Sequence, residues 1–152
     1  MRRASLPNRP VQCVIFAVGE THHAIDIDHV REILVPPPLT PMPGAPPHVL
    51  GLAQVRGHAI PVIDLAAALG LPAGEDSDRK RLVVVAAGEG ATALLVDAVE
   101  EVATCAPAEF EAVLVPGMAG ERVVIKRNDL LVGWLEPDDV PGMAQERVLR
   151  AA

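Results

Sequence analysis

Residues 46–70, PPHVLGLAQVRGHAIPVIDLAAALG, decide how this chain folds. A mostly apolar run over 49–55 is interrupted by Arg56 and Gly57 and resumes over 59–63; Asp64 then precedes the helix-favouring residues 65–69. That order spells strand, tight turn, strand and short helix. Asp64 stands where a carboxylate accepts hydrogen bonds from the first free helix N–H groups. Gly70 stands where a residue in the left-handed conformation ends a helix.

Outward from this stretch, composition supports a mainly β chain. Half of the 152 residues are hydrophobic (50%), yet there are only two Phe, one Trp and no Tyr, so the core must be built from Val, Leu, Ile and Ala. Valine recurs in short runs, and its branched side chain suits a pleated surface. The length is enough to bury a core in one domain or two small fused ones. Thirteen basic against twenty acidic residues give a formal charge of −7, which disfavours nucleic acid or an anionic membrane as partner. There is no apolar run of the roughly 20 residues a membrane helix needs and no signal-peptide core, so a soluble, cytoplasmic protein is expected. Cys13 and Cys105 lie far apart in sequence in apolar settings and are expected to be reduced core thiols.

Taken in order, residues 1–10 read as a disordered tail with a small basic cluster, Arg2, Arg3 and Arg9. Residues 11–18 and 22–27 read as a hairpin. Asp28 is expected to cap a single helical turn through Val30 and Glu32, ending near Leu34. Residues 36–47, PPPLTPMPGAPP, hold seven prolines, which remove donors and fix φ, leaving a semi-rigid crossover. Beyond the central stretch, residues 72–80 form a polar loop, the expected boundary between halves. Strands follow at 81–87 and 91–96, then a second capped turn over 97–102. From residue 141 the chain reads as a frayed helical tail.

The second half echoes the first. Residues 14–34 laid over 83–103 without a gap agree at eight of 21 positions, pairing Gly19 with Gly88, Asp28 with Asp97, Val30 with Val99 and Glu32 with Glu101. Residues 129–135 likewise echo 57–63. Short antiparallel strands, frequent turns and single-turn helices suit two linked five-stranded β-barrels of the SH3/OB-like kind, divided roughly as 11–71 and 80–140 within a single domain, 11–140.

Catalytic chemistry finds little support. Ser5 and Ser77, the only serines, stand in polar surroundings, and neither cysteine has an electropositive setting. There is no Gly-rich phosphate loop. His22 and His23 are the best start of a metal site for a metal-dependent enzyme, but adjacent strand residues point to opposite faces. An oligonucleotide-binding barrel would need aromatic platforms and a basic groove, both absent from the sequence. Arg56 has two readings: a solvated turn residue, or an ion-pair partner of Glu32 tying the short helix to the hairpin.

The run from Pro43 to Leu65, with Val30-Arg31-Glu32-Ile33 and Leu95-Val96-Asp97-Ala98-Val99, resembles the CheW-like domain, the family of chemotaxis coupling proteins. Gln54-Val55-Arg56-Gly57 stands where that family usually has Asn-Leu-Arg-Gly. The resemblance covers nearly the whole chain. It implies two linked five-stranded barrels and a non-enzymatic adaptor, without cofactor, that bridges a chemoreceptor cytoplasmic tip to the regulatory domain of a CheA-type histidine kinase. A type IV pilus or other receptor–kinase pathway is the alternative setting. It further implies that residues near Val30 and Glu32, and the hairpin from Gly51 through Arg56 to Gly57, meet the kinase. A groove near Val62, Leu94, Val99 and Val102 would receive the receptor tip.

Overall fold

The computed structural model describes residues 4–141 and 143. Its strands are β1 (Val11–Val18), β2 (Thr21–Asp26), β3 (Val30–Leu34), β4 (Val49–Val55), β5 (His58–Asp64), β6 (Arg81–Ala87), β7 (Gly90–Val96), β8 (Ala98–Cys105), β9 (Phe110–Leu114), β10 (Glu121–Arg127) and β11 (Leu130–Trp134). One helical turn, α1 (Leu65–Ala68), follows β5. Strands β8-β1-β2-β11-β10-β9 form one sheet, and β3-β6-β7-β5-β4 form the other. The fold is therefore mainly β with two sheets, as expected.

The echo between the halves is real, but the sheets do not follow the expected division at 72–80. Hairpin β1–β2 corresponds to hairpin β6–β7, and the third strand of each repeat crosses to the other sheet: β3 pairs with β6, and β8 pairs with β1. Strand β11 then joins β2 in parallel, just as β5 joins β7. The orders β8-β1-β2-β11-β10 and β3-β6-β7-β5-β4 are thus the same order, each built from both halves of the sequence.

The first sheet has one strand more than the expected five, β9, beside β10. At the corresponding edge of the second sheet the proline-rich crossover makes only an isolated bridge, Thr40 to Leu52, with both N–H···O distances at 2.8 Å. Proline has no N–H to give a ladder, so this segment touches the sheet at one non-proline residue and cannot become a sixth strand.

Two expected helical turns are strands instead. Residues 30–34 form β3, because pairing with the buried Val83 and Val84 of β6 outweighs local helix propensity. The turn that does form, a single 3-10 turn over Ile27–His29, is capped by Asp26, whose Oδ1 accepts from Asp28 N at 2.9 Å. Residues 98–105 form β8, and Asp97 does not cap a helix. Its N–H donates to Ala17 O at 2.9 Å, and its carboxylate accepts from Gly19 N and lies 3.6 Å from Lys80 Nζ. Asp97 thereby ties the β1–β2 turn to the end of the 72–80 loop.

Helix α1 appears where the sequence puts it. Asp64 holds the N-cap position without a side-chain cap bond. At the other end Gly70, at φ 70, lets its N–H reach Ala67 O (3.2 Å) and Leu71 N reach Ala66 O (2.8 Å), the paired bonds that close a helix on a left-handed residue. The segment 4–10, expected to be disordered, has no regular structure but is anchored by Ala4 N, which donates to Glu121 Oε1 at 3.0 Å. The tail from 141 falls almost entirely outside the described residues.

Alternation along the central strands divides the core in three. Val14, Phe16 and Val18 of β1 face Val83 and Val85 of β6, Leu94, Val96 and Leu65 between the two sheets. Cys13 and Ile15 point the other way, to Ala103, Phe110, Ile125 and Val132. Leu82 and Val84 of β6 do the same in the second sheet, meeting Ala53, Ile60, Val62 and Ala93. Strands β1 and β6 are buried on both faces, which is why they read as continuous apolar runs.

Candidate functional site

Arg56 has most of its side chain outside these cores. It occupies the turn between β4 and β5 at φ 52, followed by Gly57 at φ 80. Two consecutive left-handed residues make the hairpin turn whose twist matches that of its strands. Glycine reaches that region freely, whereas an L side chain there costs roughly 1–2 kcal/mol. Arg56 Nε donates to Glu32 Oε2 at 2.8 Å. The ion pair considered from sequence is therefore present, but Glu32 belongs to strand β3 and not to a helix. The Arg56 side chain is 78% exposed and that of Glu32 26%, so the pair presents a guanidinium on an anchored carboxylate.

The sequence echo extends to this pair, a feature missed in the sequence reading. Glu101, the counterpart of Glu32, accepts from Arg127 Nε at 3.1 Å, and Arg127 immediately precedes the β10–β11 turn, where Asn128 and Asp129 have φ 48 and 64. Glu109 adds a second contact, 3.3 Å from Arg127 Nη1. The alignment of Glu32 with Glu101 already held the signal; the matching arginine is offset by one place in its turn, so residue-by-residue comparison does not find it.

Other residues expected at partner surfaces divide by burial. Val30 and Val99, counterparts in the two repeats, are half-buried at the rim of the core between the sheets. Val102, opposite Val14, is 55% exposed on edge strand β8. Gly57 is exposed, and a Cβ there would meet nothing within 4 Å. Val62 and Leu94 are fully buried, so the groove expected at these two positions is core: alternation turns both side chains inward. Gly51 is also buried, at φ 142, and a side chain there would run into the Thr40 carbonyl of the crossover. Its glycine serves the close approach of two backbones.

His22 and His23 diverge as strand neighbours do. His23 stacks on Phe16 with ring centroids 6.0 Å apart, and its Nε2 lies 2.9 Å from Thr21 Oγ1. Burial, reinforced by the nearby His22, lowers its pKa below the ordinary 6.5. Among the described residues, three or more His, Cys, Asp or Glu side chains nowhere gather in a way that could hold a metal ion. Among the described residues, clefts open at two places that bear on these positions. One, of about 460 Å³, lies beside Trp134, His29 and Glu136; the other, of about 730 Å³, lies between the β1–β2 turn and the 72–80 loop. None of Val62, Leu94, Val99 and Val102 lines either cleft. No helix among the described residues is long and apolar enough to cross a membrane.

The sequence and the two-sheet fold have recognisable relatives. Chemotaxis protein CheW of Rhizobium meliloti (strain 1021) is 36% identical over 106 residues, 70% of this chain and 68% of that protein. Protein PilI of Pseudomonas aeruginosa is 32% identical over 84 residues, 55% of this chain and 47% of that one. The crystal structure of scaffolding protein TtCheW from Thermoanaerobacter tengcongensis superposes with a TM-score of 0.74 at 26% identity, covering 84% of this chain and 89% of that chain. The CheW-like domain matches residues 12–144. The chain belongs to the CheW-like domain family, a scaffold of chemotaxis and related systems.

Proposed function

We propose that this chain is a non-enzymatic, cytoplasmic adaptor that couples the cytoplasmic tip of a chemoreceptor to the regulatory domain of a CheA-type histidine kinase. The observation that carries this reading is Arg56. It is an exposed cation in a left-handed turn, fixed by Glu32, at the end of a hairpin that the family signature spans. A backbone held in a sparsely populated conformation at an exposed tip suits recognition better than core packing. Glu32, Arg56, Gly57 and the adjoining Val30 are the proposed kinase-facing group. Val99 and Val102 on edge strand β8 are the proposed receptor-facing group, apolar enough to take the buried face of a helical tip.

An adaptor of this kind works without chemistry. Contacts to both partners that differ between two receptor states are enough to bias the kinase. Calorimetric titration of the folded chain against the kinase regulatory domain and, separately, a receptor-tip peptide should give saturable binding to each. No binding to either partner by a folded sample sinks this reading. A second setting, a type IV pilus or other receptor–kinase pathway, draws support from the match to PilI. Preferential binding to that pathway's kinase would identify it.

A further inference from the structure

We infer that Cys13 and Cys105 form a dithiol that closes to an intrachain disulfide when the folded protein meets a small-molecule disulfide. The two thiols are free, 92 positions apart in sequence and 3.4 Å apart between their sulfurs. Both residues are 0% exposed, in the core of the first sheet. They lie on adjacent antiparallel strands: Cys13 sits opposite Ala103 and Cys105 opposite Val11, a diagonal pair. The sulfurs need to approach by only about 1.4 Å to reach bonding distance.

Their positions in the sheet give the two thiols different parts. Cys105 is the last residue of β8, an edge strand, and its partner Val11 is the first residue of β1, so this end of the ladder frays first. Cys13 lies inside β1 between two strands, and burial, with the neighbouring Cys105 thiol, pushes its pKa up to about 12. Arg127 acts on both thiols electrostatically and opposes that rise at Cys13. Cys105, released at the end of the edge strand, is the attacking group; Cys13, held between two strands, resolves.

The step balances with a disulfide R–S–S–R as oxidant. Cys105 loses its proton, and its sulfur forms a mixed disulfide as one R–S⁻ leaves and takes up a proton. When β8 closes again, the Cys13 sulfur attacks Cys105 Sγ, expelling the second R–S⁻, which takes the Cys13 proton. Two protein thiols are oxidised, and one R–S–S–R is reduced to two R–SH. The product pins β8 to β1 and so restrains the edge strand that carries Val99 and Val102.

The test uses the reduced full chain and excess oxidised glutathione at neutral pH without denaturant, followed by alkylation and mass spectrometry. The expected product has lost the mass of two hydrogens, takes up no alkylating agent, yields one linked peptide pair containing Cys13 and Cys105, and reverts with dithiothreitol. In Cys13→Ala the glutathione should remain on Cys105; in Cys105→Ala, Cys13 should stay unmodified while the chain is folded. Retained free thiols, stable glutathione adducts, or dimers in place of the internal bond in the unsubstituted chain would overturn the inference. Equal modification of Cys13 in Cys105→Ala, with unchanged circular dichroism, would overturn the assigned order of attack.

Discussion

Arg56 and Glu32 form an ion pair at 2.8 Å although they come from opposite edges of one five-stranded sheet. Glu32 lies on edge strand β3, and Arg56 lies in the turn joining β5 to the other edge strand, β4. In a flat sheet those positions would be separated by roughly 14–19 Å, three to four strand spacings. The sheet must therefore curl until its edges approach, and Glu101 with Arg127 marks the same curl in its counterpart. Curling brings the edge strands together under side-chain cover, which limits their exposure to foreign strands.

The pair is exposed at its arginine end, so its contribution to stability is small. Arg56→Ala should leave the thermal midpoint nearly unchanged while weakening binding of the kinase regulatory domain by roughly tenfold, the scale of a central interface arginine. Chemical denaturation alongside calorimetric titration separates the two effects. A large loss of stability with unchanged affinity would mean that the pair only closes the sheet.

Two glycines of the same hairpin should respond differently. Gly51→Ala drives a methyl group into the Thr40 backbone at φ 142, which costs about 1–3 kcal/mol or more. Gly57→Ala meets no neighbour and carries only the left-handed penalty at φ 80, about 1–2 kcal/mol. Urea unfolding of both variants checks the order.

Leu94 and Val102 separate core from surface. Leu94→Ala should lose about 2–5 kcal/mol through the cavity left between the sheets. Val102→Ala, on an exposed edge, should keep its stability and weaken only receptor-tip binding. Equal stability losses in the two variants would contradict the burial difference between them.

His23 gives the fold a pH dependence of definite sign. Its folded pKa is lowered by burial, so between the folded and unfolded values the unfolded chain binds more protons and stability rises with pH. The contribution is complete above the ordinary 6.5 and is lost as pH falls below it. Unfolding midpoints followed by Trp134 fluorescence should decline from pH 7.5 to 5.5 more steeply in the parent chain than in His23→Gln.

The sequence by itself determined the local devices. The apolar runs of β1, β4, β5, β6 and β7, the Arg56-Gly57 turn, α1 with its closing Gly70 and the proline crossover follow from periodicity and backbone chemistry within a few residues. The internal echo was legible because duplicated positions keep duplicated tasks, whereas the Glu32–Arg56 pair was one of two readings of an arginine in an apolar stretch, and the curled sheet chose between them. Tertiary structure alone decided residues 30–34 and 98–102, where pairing with buried strands overrides a local pattern that reads equally well as helix. It also decided that the third strand of each repeat crosses to the other sheet, which sets Cys13 beside Cys105. Strand exchange leaves every local preference satisfied either way, so only the packing of whole sheets against one another can choose it.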